Sequence, residues 1–326
     1  MNEFDLIKNI RELLGKVTDD VVVGPGDDCA VISLSNSESN QIVMTVDCMV
    51  EGVHFLQDIL TPEQIGRRAV SVTLSDIAAM GATPGWLLVS MGFSKNLSDK
   101  KNHIYGIVSG MKEKLNETGG IIVGGNITNS PVLFLSLTAI GTCQGNPILR
   151  NGALPGDIIA VTGSLGGANL ALQFLKEEKI KPDHPLAKRH IEPPSRIKEG
   201  ILLKKIAHAC IDISDGLIQD LRHILEESNA GAIIEVESIP IEESFLKVGV
   251  SRESLIHSAL CGGEDYELLF TLDKNYLKQL KEIEDKTGIK ISVIGQITDS
   301  PGKITGVFQD GKEIDISLLN GWDHFR

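Results

Sequence analysis

The sequence predicts a mixed α/β (α+β) fold in two domains, and three observations lead to this. The chain has 326 residues, and a single hydrophobic core tends to divide beyond roughly 250–300 residues. Hydrophobic residues make up 42% of the chain, enough for full globular cores. Strand-like and helix-like segments are mixed in both halves, and a stretch rich in Gly, Asn and Pro at residues 145–156 separates them. We therefore expect domains at residues 1–145 and 150–326.

In the first half, an apolar stripe predicts a helix over residues 3–14. A stronger helix start follows at Thr61, a capping residue followed by proline and by glutamine at the third helical position. This helix is expected to reach Met80 and to stop at Gly81. Another helix is expected from Ser98 to about Gly119-Gly120. The predicted strands cover residues 21–23, 30–34, 41–46, 86–91, 121–123 and 132–142.

The second half begins with a strand at residues 157–161, which a glycine-rich turn leads into a helix ending near Glu177. A proline-broken stretch, residues 181–195, comes next. Helices are predicted at residues 196–208 and 215–228, and strands at residues 209–213, 231–236, 267–272 and 289–294.

Composition excludes several classes of function. The formal net charge is −13, whereas nucleic acid and anionic membrane both bind basic faces, so neither is expected as a partner. The chain lacks an apolar run of the ~20 residues that a membrane-spanning helix needs. Residues 1–15 lack a signal-peptide cleavage site, so a cytoplasmic protein is expected. The five cysteines include no C-x-x-C pair, which argues against a disulfide framework or a zinc site.

Five short acidic motifs lie in or beside apolar runs. They are Gly26-Asp27-Asp28, Thr45-Val46-Asp47, Leu74-Ser75-Asp76, Asp212-Ile213-Ser214-Asp215 and Gly263-Glu264-Asp265. Two carboxylates ~4 Å apart repel by roughly 4 kcal/mol at an effective dielectric constant near 20, so several that converge need a cation. Hard oxygen ligands without His or Cys suit Mg²⁺. Any one of these aspartates could instead be an ordinary cap or turn residue.

Three other residues each have two interpretations. Arg150 could clamp a phosphate with its planar guanidinium or could pair with an acid. Trp322 could pin the C-terminus or stack on the ring of a ligand. His54, alone in its segment, could be structural or could contact a ligand.

Taken together, the motifs resemble those of the thiamine-monophosphate kinase family, within the PurM-like (aminoimidazole-ribonucleotide-synthetase-like) superfamily. The resemblance covers nearly the whole chain in the order of the family. The matching strings are GDDCAV (26–31), TVDCMVEGVHF (45–55), LSDIAAMGATP (74–84), VGGN (123–126), RNGALPGD (150–157), IDISDGLIQDL (211–221), CGGEDYELLF (261–270) and GWDHF (321–325).

This resemblance implies two PurM-like α/β domains and a homodimer whose N-terminal strands pair across the interface. It implies ATP- and Mg²⁺-dependent phosphorylation of thiamine monophosphate to thiamine diphosphate, with several Mg²⁺ ions in each site. The implied metal ligands are Asp28, Thr45, Val46 (by its backbone), Asp47, Asp76, Asn126, Asp212 and Asp215. The implied nucleotide contacts are Tyr105, Gly125, Asn126, Arg150 and Ser214. The implied contacts to the thiamine moiety are His54, Glu264 and Trp322.

One position departs from the family pattern. Asn126 stands where the family usually has aspartate, and its neutral carbonyl oxygen is a weaker ligand for Mg²⁺. This leaves open a non-catalytic nucleotide-binding dimer, or another PurM-like enzyme such as aminoimidazole ribonucleotide synthetase. For the kinase, we expect direct in-line phosphoryl transfer without a protein nucleophile or base, since the acceptor phosphate is already ionised near neutral pH.

Overall fold

The structure is a computed structural model that describes residues 21–23, 27–33, 40–95, 97 and 99–321. The helix predicted over residues 3–14 lies outside the described residues, as does Trp322. Two β-sheets, each with its own helices, make up the described chain, which confirms the predicted mixed fold. In the described part of the chain, no helix is both long and apolar enough to cross a bilayer.

The first sheet has six strands, in the order β1-β2-β3-β6-β4-β5. Only the edge pair β4–β5 is parallel among these strand pairs. The strands are β1 (Val21–Val23), β2 (Ala30–Ser33), β3 (Asn40–Val50), β4 (Thr83–Phe93), β5 (Ile121–Asn129) and β6 (Phe134–Gln144). Two long helices accompany this sheet, α1 (Pro62–Ala79) and α2 (Lys100–Thr118). They leave its other face uncovered within the described chain.

The second sheet has seven strands, in the order β13-β12-β9-β11-β7-β10-β8. These strands are β7 (Ile158–Thr162), β8 (Ala207–Asp212), β9 (Gly231–Glu235), β10 (Leu268–Leu272), β11 (Ile291–Thr298), β12 (Ile304–Val307) and β13 (Glu313–Asp315). Its helices are α3 (Gly167–Lys176), α4 (Lys188–Ile191), α5 (Ile197–Leu203), α6 (Leu217–Ser228), α7 (Arg252–Cys261) and α8 (Leu277–Thr287).

Helix α1 is the structural link between the two halves. Its N-terminus has the predicted capping box: the Thr61 hydroxyl accepts a bond from the backbone N–H of Gln64, and the Gln64 side chain accepts one from the N–H of Thr61. The helix packs against α2 and β3 on its own side and against α5 and β8 of the second half. A largely buried helix in this place can carry side chains from the first half into contact with the second.

The strand β5 is longer than predicted. The sequence pattern ends it at Val123 because Gly124-Gly125 is typical of a turn, but the strand continues to Asn129. A Cβ atom on Gly125 would overlap the carbonyl oxygen of Val89 on β4. The glycine therefore permits close backbone approach within a sheet, which local pattern alone does not distinguish from a turn.

Candidate active site

Aspartates from both halves of the molecule converge where the two halves meet. Asp28 precedes β2 and Asp76 lies in the last turns of α1, whereas Asp212 ends β8 in the second half. One carboxylate oxygen from each of these three residues lies within 4.8 Å of the others. We call these three residues the acid cluster. It joins three of the five acidic motifs, which are far apart in sequence.

The electrostatics of the acid cluster are unfavourable as it stands. Burial, followed by the charges of neighbouring aspartates, raises the pKa of Asp76 well above its usual value. Burial likewise raises the pKa of Asp28, Asp212 and the adjacent Asp47 to about 6. Low-dielectric surroundings disfavour the charged form of a carboxylate, and like charges add to the effect. These groups therefore have more negative charge than their protein surroundings balance.

Arg150 supplies positive charge to the acid cluster. Its Nη2 and Nε donate to Oδ1 of Asp28 at 2.6 and 3.2 Å, and its backbone N–H donates to Asp27 at 3.0 Å. Of the two interpretations of Arg150, the structure shows the pairing with an acid. That acid, Asp28, is a buried member of the acid cluster and not a surface residue. The guanidinium of Arg150 therefore lies at the edge of the acid cluster.

The strand β3 adds two further groups to this region. The Thr45 hydroxyl donates to Oδ2 of Asp76 at 2.5 Å, and Asp47 lies two residues along on the same side of the strand. Val46 lies between them, and its side chain is 63% exposed on the opposite face of the sheet. On the face of Thr45 and Asp47, Val46 can therefore contribute only backbone atoms. This is the arrangement expected for a strand that presents alternate residues to one side.

The loop between β8 and α6 carries Ser214 and Asp215. It is held by Asp220, whose Oδ2 accepts the backbone N–H groups of Asp215 and Gly216, both at 3.1 Å. Asp220 has no predicted role from the sequence, although it lies within the string IDISDGLIQDL (211–221). A carboxylate in the first turns of a helix that reaches back to preceding N–H groups is a recognisable capping signal.

The three residues expected at the thiamine moiety are placed differently. Nδ1 of His54 accepts the backbone N–H of Val50 at 3.1 Å, which fixes the ring in the turn after β3. Glu264 lies beside the loop just described, with its N–H bonded to the Ser214 carbonyl at 2.8 Å. Trp322 is outside the described residues, but a Cβ on the preceding Gly321 would overlap the carbonyl oxygen of Asp215. Gly321 therefore lies against the same loop.

Three expected nucleotide or metal contacts lie apart from the acid cluster. Gly125 and Asn126 are on the exposed edge strand β5, and the register places Asp47, Leu137, Val89 and Gly125 in one row across the sheet. Three strand spacings separate Asp47 from Gly125, about 14 Å. Tyr105 is 62% exposed on α2, with Lys101 over its ring. Within one chain, the structure does not bring these residues to Asp47.

The donor set of the acid cluster fits Mg²⁺. All three members offer hard carboxylate oxygens, and neither His nor Cys belongs to the group found among the described residues. Oδ2 of Asp28 is buried and has no hydrogen-bond partner in the described structure, so it is left to a cation or to water.

Comparison with known proteins identifies the fold and the family. The model of the AIR synthase related protein N-terminal domain matches residues 26–143, and that of the C-terminal domain matches residues 155–307. Among solved structures, AaThiL complexed with AMPPCP and TMP is 31% identical with a TM-score of 0.84, covering 99% of this chain and 97% of that one. Thiamine-monophosphate kinase from Stenotrophomonas maltophilia is 32% identical with a TM-score of 0.78, covering 95% and 97%.

Two sequence relatives extend over the full length. Thiamine-monophosphate kinase of Buchnera aphidicola (subsp. Schizaphis graminum) is 38% identical over 99% of both chains. The same enzyme of Haemophilus influenzae is 38% identical over 100% of this chain and 98% of its own. The chain therefore belongs to the thiamine-monophosphate kinase family of AIR synthase related proteins.

Proposed function

We propose that this protein is a kinase that transfers the γ-phosphoryl group of ATP to thiamine monophosphate, giving thiamine diphosphate and ADP. The acid cluster carries this proposal. Carboxylates from both halves of the molecule meet with surplus negative charge, as a site for Mg²⁺-bound phosphates requires. Family membership supports the identity of the two substrates.

The chemistry needs no protein nucleophile or base. An oxygen of the acceptor phosphate attacks the γ-phosphorus, and the bond from that phosphorus to the oxygen of the leaving ADP breaks. Since the attacking oxygen is already ionised near neutral pH, no residue must remove a proton. Mg²⁺, when bound, would supply positive charge to both sets of phosphates. The protein then contributes position and exclusion of water.

We assign the roles within the site as follows. Asp28, Asp76 and Asp212 would hold Mg²⁺, with Asp47, Asp215, Thr45 and the backbone of Val46 as further ligands. Asn126 lies on the edge strand away from Asp47 in the same chain, so we propose that it reaches the metal from the partner protomer. Arg150, already bonded to Asp28, would face the nucleotide phosphates together with Ser214. Glu264, His54 and Trp322 would receive the thiamine moiety, which is supported by the bond of Glu264 to the Ser214 loop.

We also propose a homodimer formed through the first sheet. Its uncovered face exposes large apolar side chains, among them Val46, Trp86 and Leu88. Among the described strands, β5 has no partner on its outer side, and its Ile121 and Ile127 are exposed. Contiguous apolar surface and open strand edges are typical of interfaces. Gly125 and Asn126 lie on this edge, so we place their nucleotide contacts next to the interface, together with Tyr105.

The domain bounds 1–145 and 150–326 and a cytoplasmic location remain our predictions.

The proposal is tested with purified protein, ATP and Mg²⁺, offering each candidate acceptor in turn. We expect ADP and thiamine diphosphate only with thiamine monophosphate, and no reaction when EDTA replaces Mg²⁺. ADP formed with the aminoimidazole ribonucleotide precursor would favour the synthetase instead. Tight ATP binding without turnover would favour a non-catalytic dimer. Asn126, the residue that raised this alternative, lies outside the acid cluster, whose three carboxylates are all present.

A further inference from the structure

A buried arginine crosses from the first half of the molecule to the second. Arg68 lies on α1 and its side chain is only 1% exposed. Its Nη2 donates to Oε1 of Glu264 at 2.5 Å, and its Nη1 donates to the backbone carbonyl of His190. Both partners belong to the second half. No local pattern in the sequence predicts a role for this arginine.

The carboxylate of Glu264 has a neighbour at each oxygen. Arg68 binds Oε1, and Nδ1 of His190 lies 2.9 Å from Oε2, although neither of these two buried atoms makes an aligned hydrogen bond in the described structure. The side chain of Glu264 keeps 24% of its surface exposed, while its Oε2 atom is buried. Although burial opposes it, the charge of Arg68 and the contact with His190 lower the pKa of Glu264 to about 2. This group is therefore a charged carboxylate at neutral pH.

The backbone of Glu264 is also constrained. Its φ is +70° and that of Tyr266 is +49°, in the left-handed region that few non-glycine residues adopt. Bonds of 2.8 Å hold both residues to the loop after β8, from the Glu264 N–H to the Ser214 carbonyl and from the Tyr266 N–H to the Ile213 carbonyl. Strained backbone of this kind persists where the surroundings over-determine it and is frequent at ligand sites.

We propose that Arg68 is a positioning residue for the acceptor substrate: together with His190, it fixes the carboxylate of Glu264 beside the Ser214 loop in the orientation that receives the thiamine moiety. This rests on the proposed function. Arg68 itself does not touch the acceptor. A fixed anionic carboxylate suits the thiamine moiety, which has a cationic thiazolium ring and an amino group on its pyrimidine ring. A carboxylate without a fixed orientation would have to be ordered each time the substrate binds.

The experiment measures KM for both substrates in Arg68→Met and Arg68→Lys. We expect Arg68→Met to raise KM for thiamine monophosphate by about 10- to 100-fold, because the charged hydrogen bond that orients Glu264 is lost. The KM for ATP should change by less than about twofold. Lysine keeps the charge but not the fork, so Arg68→Lys should recover part of the loss. The control is Arg67→Met, because its neighbour Arg67 pairs instead with Glu113, Glu117 and Glu192 and should leave both constants near wild type.

A double-mutant cycle with Glu264→Gln separates positioning from general damage to the fold. If Arg68 acts through Glu264, the double variant should show the KM of Glu264→Gln alone. Additive effects, or equal rises in KM for both substrates, would overturn the proposal. If Arg68→Met does not fold, Arg68→Lys and His190→Asn serve in the same cycle.

The proposal about Arg68 can fail separately from the proposed function. If the wild-type protein forms no thiamine diphosphate, the proposed kinase activity is refuted. Active wild type whose KM for thiamine monophosphate is unaffected by Arg68→Met would refute only the positioning role. As a readout independent of turnover, thiamine monophosphate without ATP should raise the melting temperature of wild type more than that of Arg68→Met.

Discussion

Two groups of buried carboxylates in this molecule differ in how their charge is balanced. Glu267, whose side chain is fully buried, receives Nε and Nη2 of Arg196 at 2.5 and 2.7 Å and the Thr162 hydroxyl at 2.7 Å. In the acid cluster, three carboxylates share Arg150 and the Thr45 hydroxyl in the described structure. The first group is complete within the protein. The second keeps surplus negative charge, which we propose is balanced by Mg²⁺.

This difference teaches how to separate a structural acid from a functional one. Both groups are buried and both would be costly if left alone. A bidentate arginine leaves no net charge, and the pair then serves the fold. Surplus negative charge calls for compensation from outside the chain, and burial followed by the charges of Asp47, Asp212 and Asp28 raises the pKa of Asp76.

The largest expected effect is on the balanced group. Arg196→Met leaves the charge of Glu267 buried and unpaired, so the free energy of unfolding should fall by about 3–5 kcal/mol. Urea denaturation followed by circular dichroism measures it. Lys188→Met is the control, because Lys188 faces Glu192 at 3.8 Å and is largely exposed. An unchanged urea midpoint in Arg196→Met would show that the pair does not stabilise the fold.

The opposite outcome is expected in the acid cluster. Asp76→Asn removes a repelled charge but keeps an oxygen that can accept from Thr45, so metal-free stability should be unchanged or higher. The rate of ADP formation should fall by about 10²–10³-fold, as for loss of one electrostatic contact to the reacting phosphates. Exposed Asp310→Asn is the control. Destabilisation of Asp76→Asn without loss of rate would reverse our distinction between the two groups.

A smaller effect is expected from pH on the metal-free protein. The pKa values of Asp27, Asp28, Asp47 and Asp212 are raised to about 6, so the folded state holds more protons than the unfolded state between about pH 4 and pH 6. The free energy of unfolding should therefore fall as pH rises through this window and stay reduced above it. Melting temperatures in EDTA and in Mg²⁺ measure the trend. Mg²⁺ should weaken the fall, because it replaces the protons; identical curves with and without Mg²⁺ would argue against a metal site.

The smallest effect is expected from Asn126→Asp. This position lies on the exposed edge strand, away from Asp47 in the same chain, so a new carboxylate adds at most one ligand from outside the acid cluster. We expect the Mg²⁺ concentration for half-maximal rate to fall by less than about tenfold. An unchanged Mg²⁺ dependence would mean that residue 126 does not contact the metal, and a much larger fall would place it among the principal ligands.

Local patterns in the sequence predicted much of this arrangement. The start of α1 was readable because a capping threonine followed by proline is a short-range signal, and the aspartates stood out because charge beside apolar runs needs an explanation. The role of Arg68 was not readable, since its partner is set by a tertiary contact, whereas Asp220 is a local capping residue that could have been predicted. Arginine in a helix usually signals solvent exposure, and nothing near Arg68 in sequence indicates that it is buried against Glu264.

The helix α1 has one further consequence. Arg68 and Asp76 are eight residues apart on it, so at 1.5 Å per residue they are separated by about 12 Å along a rigid axis. One end reaches the carboxylate proposed for the ring of the acceptor, and the other belongs to the acid cluster proposed for its phosphate. The helix therefore fixes the spacing between the two proposed contacts. We predict that an acceptor whose ring and phosphate are spaced differently reaches one contact but not both, which would add selection by length to selection by charge.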